Sequence, residues 1–250
     1  MRVGFVGTGE IAVALVHGLA GQGHQIRVSA RNAEKAAKLA DEVSGVTIAD
    51  NAEVVAKSDV VFLCLMADVA RDELADLPFR ADHAVISVMA DLPLADLKAL
   101  CAPAHDIAIT IPLSAIATGG SMLPVYPPNL VLKSLYGKTN TILPVTSEAA
   151  LNAHFGGSAL SAPLIALMKT GSHWLAEQTG DPKAAEAYVA GVFAGFLRQM
   201  IENGDDFDTL LQSLATEGGL NASVKAHMEG AGAHDDLIAA LDALKPRLGL

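Results

Sequence analysis

The sequence predicts an α/β protein: a doubly wound parallel sheet in the N-terminal part, followed by an all-helical part. Two observations carry this. Short β-branched runs alternate with Ala-rich helical stretches through the first 110 residues, and from about residue 156 to the end no strand pattern recurs. Strand-then-helix repetition at that density builds a parallel sheet with helices on its faces.

The elements follow in order. VGFV (3–6) reads as a strand, and EIAVALVHGLAGQG (10–23) as a helix stopped by Gly21 and Gly23. QIRVSA (25–30) is a second strand, and AEKAAKLADEV (33–43) a helix capped by Asn32. GVTIA (45–49) gives a third short strand before a brief helical AEVVAKS. DVVFLCLM (59–66) lacks alternation, as expected of a strand covered on both faces. HAVISVM (83–89) and HDIAIT (105–110) are two further strands, with helical LADLKALC between them. IPLSAIATGGSMLPVYPPNL, rich in proline and glycine, reads as loop or edge structure. PLIALMKTGSHWLAEQTG, PKAAEAYVAGVFAGFLRQMIENG and HDDLIAALDALKPRL read as helices, and the domain boundary is expected near 153 (1–153, then 154–250).

Composition excludes classes without naming a function. Seventeen basic against 28 acidic residues give a net charge of −11, which argues against nucleic acid or an anionic membrane as the main partner. Cys64 and Cys101 form no C-x-x-C, and Cys64 inside an apolar run reads as a buried small hydrophobe. Glu10 interrupts the apolar N-terminal stretch and no A-x-A site closes it, so a signal peptide is not expected. No apolar run approaches the ~18 residues of a membrane span, and a cytoplasmic location is expected. The eight histidines are scattered without H-E-x-x-H, so no metal site is expected.

Gly7-Thr8-Gly9-Glu10-Ile11-Ala12 is G-x-G-x-x-A between the first strand and the first helix. The first glycine permits the tight turn, and the second lets backbone approach a pyrophosphate. The small third residue allows close helix–strand packing, while N–H groups at the helix start bind the phosphates. In this context the motif predicts a Rossmann-type dinucleotide site. NAD-specific sites place Asp or Glu at the end of the second strand to bond the ribose 2′-hydroxyl. Here the stretch reads Val28-Ser29-Ala30-Arg31-Asn32, so Ser29, Arg31 and Asn32 offer donors for a 2′-phosphate, with Lys35 one turn further on. NADP(H) is therefore expected over NAD(H).

GFVGTGEIAVALVHGL, SARN, N-A-E-V-V from Asn51, SDVVFLCLM and, far downstream, LLQSLATEGGLNASVKAHMEGAG (210–232) together resemble the pyrroline-5-carboxylate reductase family in order and spacing. The resemblance implies an NADPH-dependent reductase of a cyclic imine carboxylate, an activity of proline biosynthesis, in a homodimer paired through C-terminal helices. It carries over Gly7, Thr8, Gly9, Glu10, Ile11, Asn51, Leu65 and Met66 as cofactor contacts. The substrate carboxylate is expected against backbone N–H groups near Gly218, Gly219 and Leu220. Asn221 stands where the family has a Thr that contacts the ring nitrogen. The chain departs from the family elsewhere. Lys-Pro-Gln becomes Met66-Ala67-Asp68, and Met-Pro-Asn-Thr-Pro becomes Ile111-Pro112-Leu113-Ser114-Ala115. Gly-Ser-Gly-Pro-Ala-Tyr becomes Gly157-Ser158-Ala159-Leu160-Ser161-Ala162.

Reducing a protonated C=N needs positioning against a nicotinamide more than it needs a strong acid. Ser158, Ser161, Ser114 and Asn221 are the candidates for orienting substrate, although a serine at a helix start more often serves only as a cap. Oxidation of a small hydroxy acid would instead need a base. Lys169 and His173, spaced i, i+4 after the Gly156-Gly157 turn, supply that alternative. A non-catalytic NADP-binding protein is the third reading.

Overall fold

Residues 1–250 are all described in a computed structural model. The apolar runs become β1 (Arg2–Val6), β2 (Gln25–Ser29), β3 (Val46–Ala49), β4 (Val60–Leu63), β5 (Ala84–Ser87) and β6 (Asp106–Thr110). Between them lie α1 (Glu10–Gly18), α2 (Ala33–Glu42), α3 (Asn51–Ala56), α4 (Ala67–Ala75) and α5 (Leu94–Leu100). The sheet then continues through β7 (Met122–Tyr126), α6 (Leu130–Tyr136) and β8 (Thr141–Pro144), and α7 (Glu148–Ser158) follows.

The strand order is β3-β2-β1-β4-β5-β6-β7-β8, with β1 to β6 parallel. The chain works outward from β1 to β3 and then crosses back to β4. The β1/β4 boundary is therefore the topological switch point, where such sheets bind ligands beyond their carboxyl ends. β7 runs antiparallel to β6 and pairs with it only at Ile109–Tyr126 and Thr110–Val125, and β8 is parallel to β7.

Side-chain alternation sorts the strands' apolar residues into two cores, one on each face. Val3, Phe5, Val60, Phe62 and Ile86 pack with α1, α2 and α6; Val61, Leu63, Val85 and Ile109 pack with α3, α4, α5 and α7. On the first face Phe5 and Phe62 stack at 4.9 Å, and Tyr136 meets Phe62 edge-on at 6.0 Å. The fully buried Tyr136 hydroxyl donates to the Leu15 carbonyl at 2.9 Å, which ties α6 to α1.

Three elements differ from the sequence reading. The proline-rich stretch after β6 contains a 3-10 turn (Ser114–Ala117) and the inner strand β7. Pro124 has no N–H to give, but its carbonyl accepts from the Thr110 hydroxyl at 2.7 Å and from Ile111 N–H at 3.3 Å. Gly156 and Gly157 do not form a turn. They lie in the last turn of α7, and the break comes at Ala159 and Leu160. The final helical stretch is cut in two ahead of Pro246.

The chain divides into two units: Met1–Phe155 with Pro246–Leu250, and Gly156–Lys245. The second holds α8 (Ser161–Thr179), α9 (Pro182–Asn203), α10 (Phe207–Leu214), α11 (Leu220–Gly230) and α12 (Ala233–Asp242), and α13 (Lys245–Leu248) begins at its end. α8 stops at Gly180, whose φ is +75°. Asp181 then caps α9, with Pro182 in its first turn. Between Ser161 and Asp242 only Ser172 and Ala185 are buried, and neither hydrophobic cluster draws on α8 to α12. Trp174 is 64% exposed and Ile201 74%. No helix is long and apolar enough to cross a membrane.

Candidate functional site

At the β1/β4 switch point the chain leaves β1 through Gly7, whose φ is +93°. A Cβ there would sit 2.3 Å from the Cys64 carbonyl, so both the conformation and the closeness of β4 demand glycine. Gly9 precedes α1 as its N-cap. No side chain caps this helix, and a Cβ on Gly9 would meet no protein atom within 4 Å. Ala12, the small third residue of the motif, is fully buried. The turn therefore presents uncapped helix N–H groups to open space, the arrangement that receives a phosphate.

That space is a cleft of about 540 Å³. Gly7, Thr8 and Gly9 form one part of its wall. Arg31 to Ala33, after β2, and Cys64 to Met66 with Asp68 and Val69, after β4, form the rest. Its size and backbone donors fit a dinucleotide, with the pyrophosphate at the glycine turn and the adenosine end toward Arg31. Cys64, at the cleft edge, has its thiol pushed up to about 12 by burial, so it is protonated at neutral pH.

Several of these residues bond within the protein itself. Ser29 does not offer its hydroxyl to a ligand: it is 1% exposed, and its Oγ accepts from Gly7 N–H at 2.9 Å. Thr8 Oγ1 donates to the Ser29 carbonyl at 2.6 Å, so Thr8 and Ser29 together brace the glycine turn. The Asn32 side chain caps α2 by accepting from Lys35 N–H at 3.2 Å. Lys35 is not a free cation either, being ion-paired with Glu10, whose carboxyl it holds below the usual range through a hydrogen bond and its charge. Ile11 is half-buried in the first turn of α1, while Leu65 and Met66 line the cleft.

Arg31 lines the cleft but has a partner the sequence gave no sign of. Its Nη1 lies 3.4 Å from Glu73 Oε1, on α4. The other oxygen of Glu73 accepts from Asn51 Nδ2 at 2.9 Å. Asn51 is thus held beside the cleft rather than in its lining, and its buried Oδ1 has no partner. Glu73 follows Arg31 by 42 residues, and only the fold brings them together.

The proposed substrate residues are spread along the chain. Ser114 opens the exposed 3-10 turn of the first unit. Ser158 ends α7 and Ser161 begins α8. Gly219 is the N-cap of α11, which has no side-chain cap, and its N–H donates to the Thr216 carbonyl at 2.9 Å across Gly218. Leu220 is 88% exposed. Asn221 Nδ2 donates to the Leu214 carbonyl at 3.2 Å, which ties the side chain to the end of α10. Lys169 lies in a shallow groove along α8 and α9 with Ser172 and Glu186, and no metal-holding cluster of three His, Cys, Asp or Glu occurs.

Residues 2–91 match a family described as "NADP oxidoreductase coenzyme F420-dependent". The pyrroline-5-carboxylate reductase of Pseudomonas aeruginosa PAO1 is 35% identical over 103 residues, a match spanning 39% of this chain and 38% of that protein. The Corynebacterium melassecola pyrroline-5-carboxylate reductase is 23% identical over 246 residues, covering 92% of this chain and 91% of that one. Among solved structures, the 1-pyrroline-5-carboxylate reductase of Streptococcus pyogenes superposes with a TM-score of 0.85 at 16% identity, over 100% of this chain and 99% of its own. The Plasmodium falciparum pyrroline carboxylate reductase with NADP bound gives 0.84 at 14%, over 100% and 97%. At such identities the structural likeness is one of fold.

Proposed function

We propose that the chain is a reductase of the pyrroline-5-carboxylate reductase type and that it reduces a small cyclic imine carboxylate. NADPH, in preference to NADH, is the reductant, and the C=N bond is the acceptor. The observation that carries the reading is the uncapped start of α1 behind Gly7, opening onto a cleft bordered by Arg31. Bound there, NAD(P)H supplies a hydride.

The chain's own groups have three tasks. The glycine turn and the start of α1 hold the pyrophosphate, and Arg31 meets the 2′-phosphate. At the uncapped start of α11, N–H groups after Gly219 take the substrate carboxylate, where the helix dipole favours an anion. A protonated imine nitrogen is a donor, and the carbonyl oxygen of Asn221 is an acceptor suited to it. Ser114, Ser158 and Ser161 are the further hydroxyls proposed to orient the ring. Residues 1–153 serve as the cofactor domain. Residues 154–250 supply substrate contacts and pair with a second copy.

NADPH oxidation by the full chain tests this with 1-pyrroline-5-carboxylate, other cyclic imines, and 2- and 3-oxo acids. Imine carboxylates are expected to turn over fastest, and Lys169→Ala to leave that rate within about twofold. Turnover of oxo acids alone, abolished by Lys169→Ala, would replace the reading with a hydroxy-acid dehydrogenase. Nucleotide binding without any turnover would leave a non-catalytic protein.

A further inference from the structure

Both cations beside the dinucleotide cleft are already engaged by carboxylates, Arg31 by Glu73 and Lys35 by Glu10, and Asp68 lines the same cleft. Two cations thus stand among three carboxylates, so the site is not the basic patch that a 2′-phosphate would ordinarily meet. Glu73 is also no loosely placed surface acid. One of its oxygens takes Arg31 from the loop after β2, and the other takes Asn51 from the start of α3 at 2.9 Å. Donors from two separate elements fix its carboxylate at the adenosine end of the cleft.

We propose that Glu73 is a specificity-determining residue of this site: its carboxylate competes with a ribose 2′-phosphate for Arg31, and so lowers the preference for NADPH over NADH. The inference rests on the reading of the cleft as an NAD(P)H site. An ion pair at 3.4 Å with both side chains partly exposed is weak, so a phosphate that takes two guanidinium N–H groups displaces it. Displacement leaves the Glu73 carboxylate near a dianion, which adds repulsion to the lost pair. NADH has no group that asks for Arg31, so Glu73 keeps its partner when NADH binds and changes its affinity little.

The test is equilibrium binding of NADPH and NADH, with 2′,5′-ADP and 5′-AMP as fragments, to the full-length wild type, Glu73→Gln, Arg31→Ala and the double variant. Glu73→Gln keeps an oxygen for Asn51 and removes the charge. It is expected to tighten NADPH and 2′,5′-ADP by about three- to tenfold and to change NADH and 5′-AMP by less than about twofold. In the Arg31→Ala background the gain should fall to within about twofold, since the contested group is gone. Unchanged or weaker NADPH binding in Glu73→Gln, an equal gain for NADH, or a gain undiminished without Arg31 would each overturn the proposal. A wild type that binds neither dinucleotide would show that the cofactor reading itself is wrong.

Discussion

Ser29 and Arg31, two residues apart at the end of β2, illustrate how neighbouring polar side chains divide structural from binding work. The Ser29 hydroxyl satisfies the Gly7 N–H inside the protein, and Arg31 reaches the cleft. Ser29→Ala leaves that buried donor unpaired, a loss of about 1–3 kcal/mol, and loosens the turn beneath any dinucleotide. Urea denaturation should show the loss, and titrations should show NADPH and NADH weakened alike. Arg31→Ala should leave the denaturation midpoint nearly unchanged and weaken NADPH at least about fivefold more than NADH, as expected when one charge-assisted contact is lost. Equal weakening by Arg31→Ala would mean that Arg31 does not read the 2′-phosphate.

Among elements, those built from local pattern were legible in the sequence. β1, β4, β5 and β6 are apolar runs buried on both faces, and the G-x-G-x-x-A turn announced its own position. β7 was hidden because Pro124, Pro127 and Pro128 mark a loop, whereas the short pairing with β6 asks little of Pro124. Residue type showed that Ser29 has a hydroxyl but not that the hydroxyl points at Gly7. The Glu73 contact was illegible for a different reason: it depends on two elements that meet only in the finished sheet. α9 poses the opposite case, since its surface is plain in the structure. Phe193, Leu197 and Ile201 are spaced four apart on one helix face and are 47, 45 and 74% exposed. We propose that a second copy of the chain covers this stripe. Leu197→Asp with Ile201→Asp should therefore convert a dimer to a monomer, read by light scattering at micromolar protein. A wild type that is already monomeric would contradict pairing through these helices.

For the molecule as a whole, the net charge of −11 is not relieved at the cleft by free basic residues, because Arg31 and Lys35 are paired. The starts of α1 and α11, neither of them capped by a side chain, offer backbone N–H groups in addition. Such donors are neutral, work inside an acidic protein, and need few aromatic side chains, in keeping with a chain that is 4% aromatic. We propose that the cofactor held at the start of α1 delivers hydride to the carbon of a cyclic imine. Mass spectrometry of the product formed from 1-pyrroline-5-carboxylate with NADPH deuterated on both hydrogens of the reduced nicotinamide carbon tests it most directly. One deuterium on the former imine carbon is the predicted result, and a product free of deuterium, or none formed, would contradict it.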